Sequence, residues 1–226
     1  LLDRVGRPQS SLQVLHVGGT NGKGSTASMA AAVLHRTGRR VGLYTSPHLV
    51  DFRERIRVNG EMIPEDRVEA LLARLRAVLT DDLHPTFFEM TTALAFLHFA
   101  ESAVDVAVLE VGLGGRFDAT NVVEQPLACA ITTIGMDHQE YLGTTEEAIA
   151  FEKGGIIKPC VPVVIGRMGP EAEQVLSRLA KDRSAPLWRL GREFSLERAR
   201  DGRLVYRGDT HVIEGVECGL VGRHQW

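Results

Sequence analysis

Between residues 14 and 190 short apolar runs alternate with segments of helical period, and this alternation leaves few folds open. The runs at 14–17, 41–44, 104–111, 127–134, 161–165 and 187–190 are nearly unbroken, which is the pattern of strands buried on both faces of a parallel sheet. Residues 25–36 are Ala-rich, with Met29, Ala32 and Val33 on one face, and Gly38 closes the segment as a helix terminator. Pro64 opens a second helix, on which Val68, Leu71, Leu72, Leu75 and Leu79 share a face. Residues 89–101 are apolar around their circumference and read as a more buried helix; 145–153 and 171–181 also read as helices. Asn59-Gly60, set between alternating apolar residues at 55–63, marks a hairpin. The order predicts an α/β fold with a doubly wound, mostly parallel sheet. Beyond Gly191 the turn dipeptides Asp201-Gly202 and Gly208-Asp209 separate short strands, so a small β extension is expected at the C-terminal end.

Composition limits the function classes. The 226 residues are 44% apolar and 24% charged, an ordinary globular balance, and the net charge of −3 gives no general attraction to nucleic acid or acidic lipid. Any bound anion must be held locally. Cys129, Cys160 and Cys218 form no CxxC or Cys/His cluster, so zinc is not indicated, and reduced thiols in a cytoplasmic protein are the expectation. No secretory leader and no run long enough to span a bilayer is seen. Leu1 is not an initiator and the closing 219–226 (GLVGRHQW) carries no stop signal, so a piece of a longer chain is expected.

The chemistry gathers where strands end. Segment 18–26 (GGTNGKGST) follows a strand and opens a helix. Its glycines let backbone N–H groups approach a phosphate, the helix terminus adds a positive dipole end, and a lysine reaches the outer phosphates. Thr20, Asn21, Gly22, Lys23, Gly24 and Ser25 are therefore the candidate nucleotide-binding residues. The segment departs from the common G-x-x-x-x-G-K-S/T pattern: Val17 replaces the first glycine and Gly24 follows the lysine. Glu110 ends an apolar run, a standard placement for a carboxylate near Mg²⁺, although a capping or salt-bridging acid reads equally well. The glycine-rich loop 112–121 follows directly, and Arg116, Asp118 and Asn121 can face a ligand there. Ser46, in 45–48 (TSPH), can ligate a metal or meet a substrate. His138, after another strand, can bind a metal but alone is more often structural. Lys153 closes a helix, where a lysine ordinarily complements the dipole.

In this order the segments HVGGTNGKGST, GLYTSPHLVDFRERIRVNG, TFFEMTTALAF, VLEVGLGGRFDATN, MDHQEYLG and FEKGGIIK resemble the folylpolyglutamate synthase and dihydrofolate synthase family, a branch of the Mur ligases. The resemblance runs from His16 to Lys158, and glycine after the P-loop lysine is a mark of this branch. It implies that ATP phosphorylates a carboxylate and that the amine of L-glutamate attacks the acyl phosphate to form an amide on dihydropteroate or a reduced folate. It further implies that Lys23 and its loop hold the ATP phosphates, that Ser46, Glu110 and His138 hold Mg²⁺, and that Lys153 is carbamylated and helps a second metal. Phe88, Glu89 and Asp118, with Arg116 in the same loop system, would lie near the pterin.

The same resemblance implies a cytoplasmic monomer whose second, C-terminal domain supplies the glutamate site. The present 1–226 segment would be the ATP-binding domain, binding nucleotide weakly without turnover. A Mur ligase acting on a cell-wall precursor and a non-catalytic nucleotide-binding module are the competing readings.

Overall fold

The structure is a computed structural model that describes residues 1–217; Cys218 and the closing segment 219–226 lie outside the described residues. In chain order it contains β1 (Val14–Gly18), α1 (Lys23–Arg36), β2 (Val41–Tyr44), β3 (Ile56–Val58), β4 (Glu61–Met62), α2 (Glu65–Ala77), α3 (Phe87–Glu101) and β5 (Val106–Glu110). There follow β6 (Ala128–Ile131), the short α4 (Gln139–Leu142), α5 (Glu146–Lys153), β7 (Val163–Ile165), α6 (Pro170–Asp182), β8 (Leu187–Arg189), β9 (Phe194–Arg198), β10 (Leu204–Gly208) and β11 (Val212–Val216). The eight-stranded sheet has the order β4-β3-β2-β5-β1-β6-β7-β8. It is parallel from β2 to β8, and at one edge β3 pairs antiparallel with both β2 and β4. The hairpin turns on Asn59 and Gly60, both at positive φ (53° and 89°), the conformation that an Asn-Gly pair supplies at low cost. Strands β9–β11 form the separate antiparallel sheet expected at the C-terminal end.

Central β1 pairs with β5 on one side and β6 on the other, so Val17 lies opposite Glu110 and Ala130. Helices cover both faces, as the unbroken apolar strands require. Val17, Val41 and Val108 pack under α1. Ala107 and Leu109, on the opposite face of β5, pack with α2 and α3 through Leu71, Leu75, Phe96 and Phe99. Cys129, Ile131, Val163 and Ile165 meet α5 and α6. From β1 the chain crosses leftward to β2, but every later parallel connection moves rightward. This reversal opens a crevice at the C-terminal ends of the central strands, where open α/β sheets bind ligands.

Two local expectations are corrected. The buried face of α1 is Ala27 and Ala31, with Ala30 and Leu34 beside them, whereas Met29 and Val33 are exposed. The helix lies close on the sheet, where methyl-sized side chains fit. Pro64 stands at the N-cap of α2, one residue before the first helical position.

Candidate active site

The loop between β1 and α1 is shaped by two glycines. Gly19 has φ 133°, and a Cβ there would lie 2.1 Å from Thr132 Oγ1. Gly22, at φ 81°, caps α1. The N–H groups of Gly22, Lys23 and Ser25 open the helix and have no carbonyl one turn back to bond, so they form a ready anion site at a positive dipole end, while the Gly24 N–H is directed at Glu110. Thr20 and Asn21 play another part. Their N–H groups donate to Thr133, at 2.8 Å to its carbonyl and 3.1 Å to its hydroxyl. Thr132 Oγ1 donates to the Asn21 carbonyl at 2.6 Å, and Gly135 N–H donates to Thr20 Oγ1 at 3.1 Å. Thr20 and Asn21 therefore bolt the loop to the chain leaving β6. Lys23 Nζ donates to the Thr20 carbonyl at 3.0 Å.

Glu110 is 4% exposed at the end of β5. Its Oε2 accepts the Ser46 N–H at 3.0 Å, which ties the ends of β2 and β5 together. Burial raises its pKa, while the N–H groups of Ser46 and Gly24 and the charge of Lys23 act in the opposite direction. A Cβ on Gly24 would stand 3.3 Å from Oε2, which accounts for glycine where most P-loops carry a hydroxyl residue. A buried acid whose ionised form is incompletely offset fits a hard cation with oxygen ligands.

Lys153, 2% exposed, turns away from solvent and donates from Nζ to the Gly19 carbonyl at 3.0 Å. Burial, then the Lys23 charge, lowers its pKa to about 8, against a smaller opposing effect of Asp137. His138 sits at φ 47° before α4, half-exposed, with Nε2 3.5 Å from Asp137 Oδ2. The structure thus joins Ser46 to Glu110 and sets His138 beside Asp137. Among the described residues no group of three His, Cys, Asp or Glu side chains is placed to hold a metal. That is compatible with Mg²⁺, which typically takes one or two carboxylates and completes its shell with water and substrate phosphates. Asp137 escaped sequence reading because an acid next to a histidine in a loop carries no distinguishing pattern.

The loop leaving β5 forms the second half of the site. Asp118, expected near the substrate, adjoins a cavity and turns its carboxylate onto the loop. Its Oδ2 accepts Gly112 N–H at 3.0 Å and Leu113 N–H at 2.9 Å, and its Oδ1 accepts both the N–H and the hydroxyl of Thr120. Glu89 is likewise committed to the capping box of α3, accepting Thr86 N–H at 2.6 Å and Oγ1–H at 2.9 Å. The Phe88 ring lies where a Gly112 Cβ would come within 2.4 Å, and it stacks at 5.9 Å on Tyr44. Arg116 is sandwiched between Phe117 and Phe151, at 5.0 and 5.3 Å, and is 3.8 Å from Glu152.

Glu89 and Ala119 line a cavity of about 630 Å³ together with Gln9, Thr92 and Asn121. Gln9 Oε1 and Asn121 Oδ1 are themselves shielded from solvent and have no hydrogen-bond partner. A cavity of about 350 Å³ adjoins Phe88, Leu113, Phe117 and Asp118. Gln9 had no sequence signal, since it stands in a single 3-10 turn, Pro8–Ser11, before β1.

Free N–H groups at the head of α1 and a buried acid across the crevice define a nucleotide-binding α/β domain of the P-loop class. Residues 17–226 match the Mur ligase middle domain, and the chain belongs to that family. It is 42% identical over 235 aligned positions to the dihydrofolate synthase/folylpolyglutamate synthase of Bacillus subtilis, covering all of this chain and 54% of that protein. A solved FPGS–AMPPCP–folate complex superposes with a TM-score of 0.95 at 40% identity, covering 99% of this chain and 57% of the other. Escherichia coli FolC in complex with DHPP and ADP superposes with a TM-score of 0.91 at 35% identity, covering 99% and 53%. The chain thus spans about half the length of the relatives it matches.

Proposed function

We propose that this chain is the ATP-binding part of a cytoplasmic, monomeric ligase that joins L-glutamate to dihydropteroate or a reduced folate through an acyl phosphate. The observation that carries the reading is the loop 112–121. It leaves the buried acid at Glu110 and runs to the cavity lined by Gln9, Glu89, Thr92 and Asn121. A partly apolar cavity with these polar residues in its wall suits a flat heterocycle with an amino group and ring N–H, as a pterin has. The relatives named above and the complexes with folate and DHPP support the same substrate class.

The residues divide the work. The N–H groups of Gly22, Lys23 and Ser25 and the Lys23 ammonium hold the phosphates and offset the repulsion between ATP and an approaching carboxylate. Ser46, Glu110 and His138 would hold Mg²⁺, which supplies further charge neutralisation on the phosphates. The Lys153 amine, depressed to about 8, has a neutral fraction near physiological pH that can attack CO₂ and lose a proton, giving a carbamate. Lys23, which disfavours a second cation beside it, favours that anion, and the carbamate would offer oxygen to a second metal. The substrate carboxylate attacks the γ-phosphorus and ADP leaves; the glutamate amine then displaces phosphate from the acyl carbon. The glutamate site belongs to a following C-terminal domain. The test is ADP release by the full-length enzyme: it should require dihydropteroate and glutamate, and release only with a UDP-muramoyl substrate would overturn the reading.

A further inference from the structure

His16 lies in the middle of β1, paired with Leu109 and Cys129, and is fully buried. Its Nε2 is 2.8 Å from the hydroxyl of Thr120, a residue 104 positions away in sequence. The direction of that bond follows from chemistry. A carboxylate only accepts, so the Thr120 hydroxyl donates its proton to Asp118 Oδ1. The hydroxyl oxygen can then only accept from the imidazole, so Nε2 carries the hydrogen and Nδ1 is bare. Nδ1 is buried without a hydrogen-bond partner. Burial, with the nearby Lys158 charge, lowers the pKa to about 3, so the ring stays neutral at any working pH. The chain of bonds continues from Asp118 to the N–H groups of Gly112 and Leu113, the first residues after the buried acid strand.

We infer that His16 is a positioning residue: through Thr120 and Asp118 it fixes the loop 112–121 that walls the substrate cavity, and so sets affinity for the pterin-side substrate without acting on ATP. The substrate clause rests on the ligase reading; the positioning clause does not. Loss of the donor leaves the buried Thr120 oxygen without its bond to β1 and so removes the tie that holds Thr120, and Asp118 bonded to it, against the sheet, while the phosphate loop keeps its own bonds to Thr132, Thr133 and Gly135.

The test compares His16→Leu, which keeps volume and removes the donor, with His16→Gln, whose amide nitrogen reaches the same position. Thr120→Val cuts the same link from the other side. In His16→Leu and Thr120→Val, amide hydrogen exchange at Gly112 and Leu113 should rise about tenfold, and that of β6 should not change. In the full-length enzyme the KM for dihydropteroate should rise about tenfold, with kcat and the KM for ATP within about twofold. His16→Gln should restore most of both. Unchanged exchange at Gly112 and Leu113, an equal rise in both KM values, or no rescue by glutamine overturns the inference. If exchange responds as stated but the wild-type enzyme releases no ADP with dihydropteroate and glutamate, the ligase reading falls and the positioning role stands.

Discussion

An ammonium with 2% of its surface exposed, resting on one carbonyl and facing a second ammonium, is held at a cost that depends on pH. The unfolded chain keeps the Lys153 proton up to about 10.5, whereas the folded chain releases it near 8. Between those values the unfolded state binds more protons, so stability rises with pH there and the slope vanishes below about 8. The full difference amounts to up to about 3 kcal/mol. Lys153→Met should therefore be more stable than wild type at neutral pH in CO₂-free buffer, and the gap should close as pH rises towards 10.5. Denaturant titrations of both proteins across that window measure it, and a gap independent of pH would show that the amine is not desolvated. Sequence reading picked out Lys153 only through family resemblance, because a lysine closing a helix ordinarily faces solvent. Its inward turn depends on Gly19, which no local pattern joins to it.

At the scale of elements, the strands were legible because burial on both faces leaves continuous apolar runs, and each such run contains a strand. The face of α1 was not. Met29 and Val33 are the larger apolar side chains, but an alanine pair at helical spacing permits the closer approach to β1, β2 and β5. The contact between α3 and the loop after β5 was also invisible, since it joins Phe88 to a glycine. That contact can be tested. A methyl at Gly112 would come within 2.4 Å of the Phe88 ring, which is packed against Tyr44. Gly112→Ala should cost about 1–3 kcal/mol by overpacking, and Phe88→Leu in that background should recover part of it. Equal stability of Gly112→Ala and wild type in chemical denaturation would mean that the ring does not confine this loop.

Over the whole molecule, the reversal of winding at β1 gathers groups from four strand ends: the phosphate loop after β1, Ser46 after β2, Glu110 at the end of β5 and the threonines after β6. The phosphate loop, Ser46 and Glu110 were readable as polar residues at the ends of apolar runs, whereas Thr132 and Thr133 fell inside the run 127–134; the convergence of all four follows from strand order, which spacing does not give. The proposed phosphate loop lies within this chain, whereas the chain spans 54% of the Bacillus subtilis relative. Binding and turnover should therefore separate. The 226-residue chain should be stabilised by ATP without releasing ADP when dihydropteroate and glutamate are supplied. A ligand at about a hundred times its Kd adds about 2.7 kcal/mol to the folded state, a shift readily seen in a thermal scan. Lys23→Ala should remove most of the shift while leaving the unliganded Tm nearly unchanged, because its ammonium bonds only the half-buried Thr20 carbonyl of its own loop. An ATP-dependent Tm rise of equal size in Lys23→Ala would place the nucleotide elsewhere on the molecule, and ADP release by this chain alone would show that it already carries the complete site.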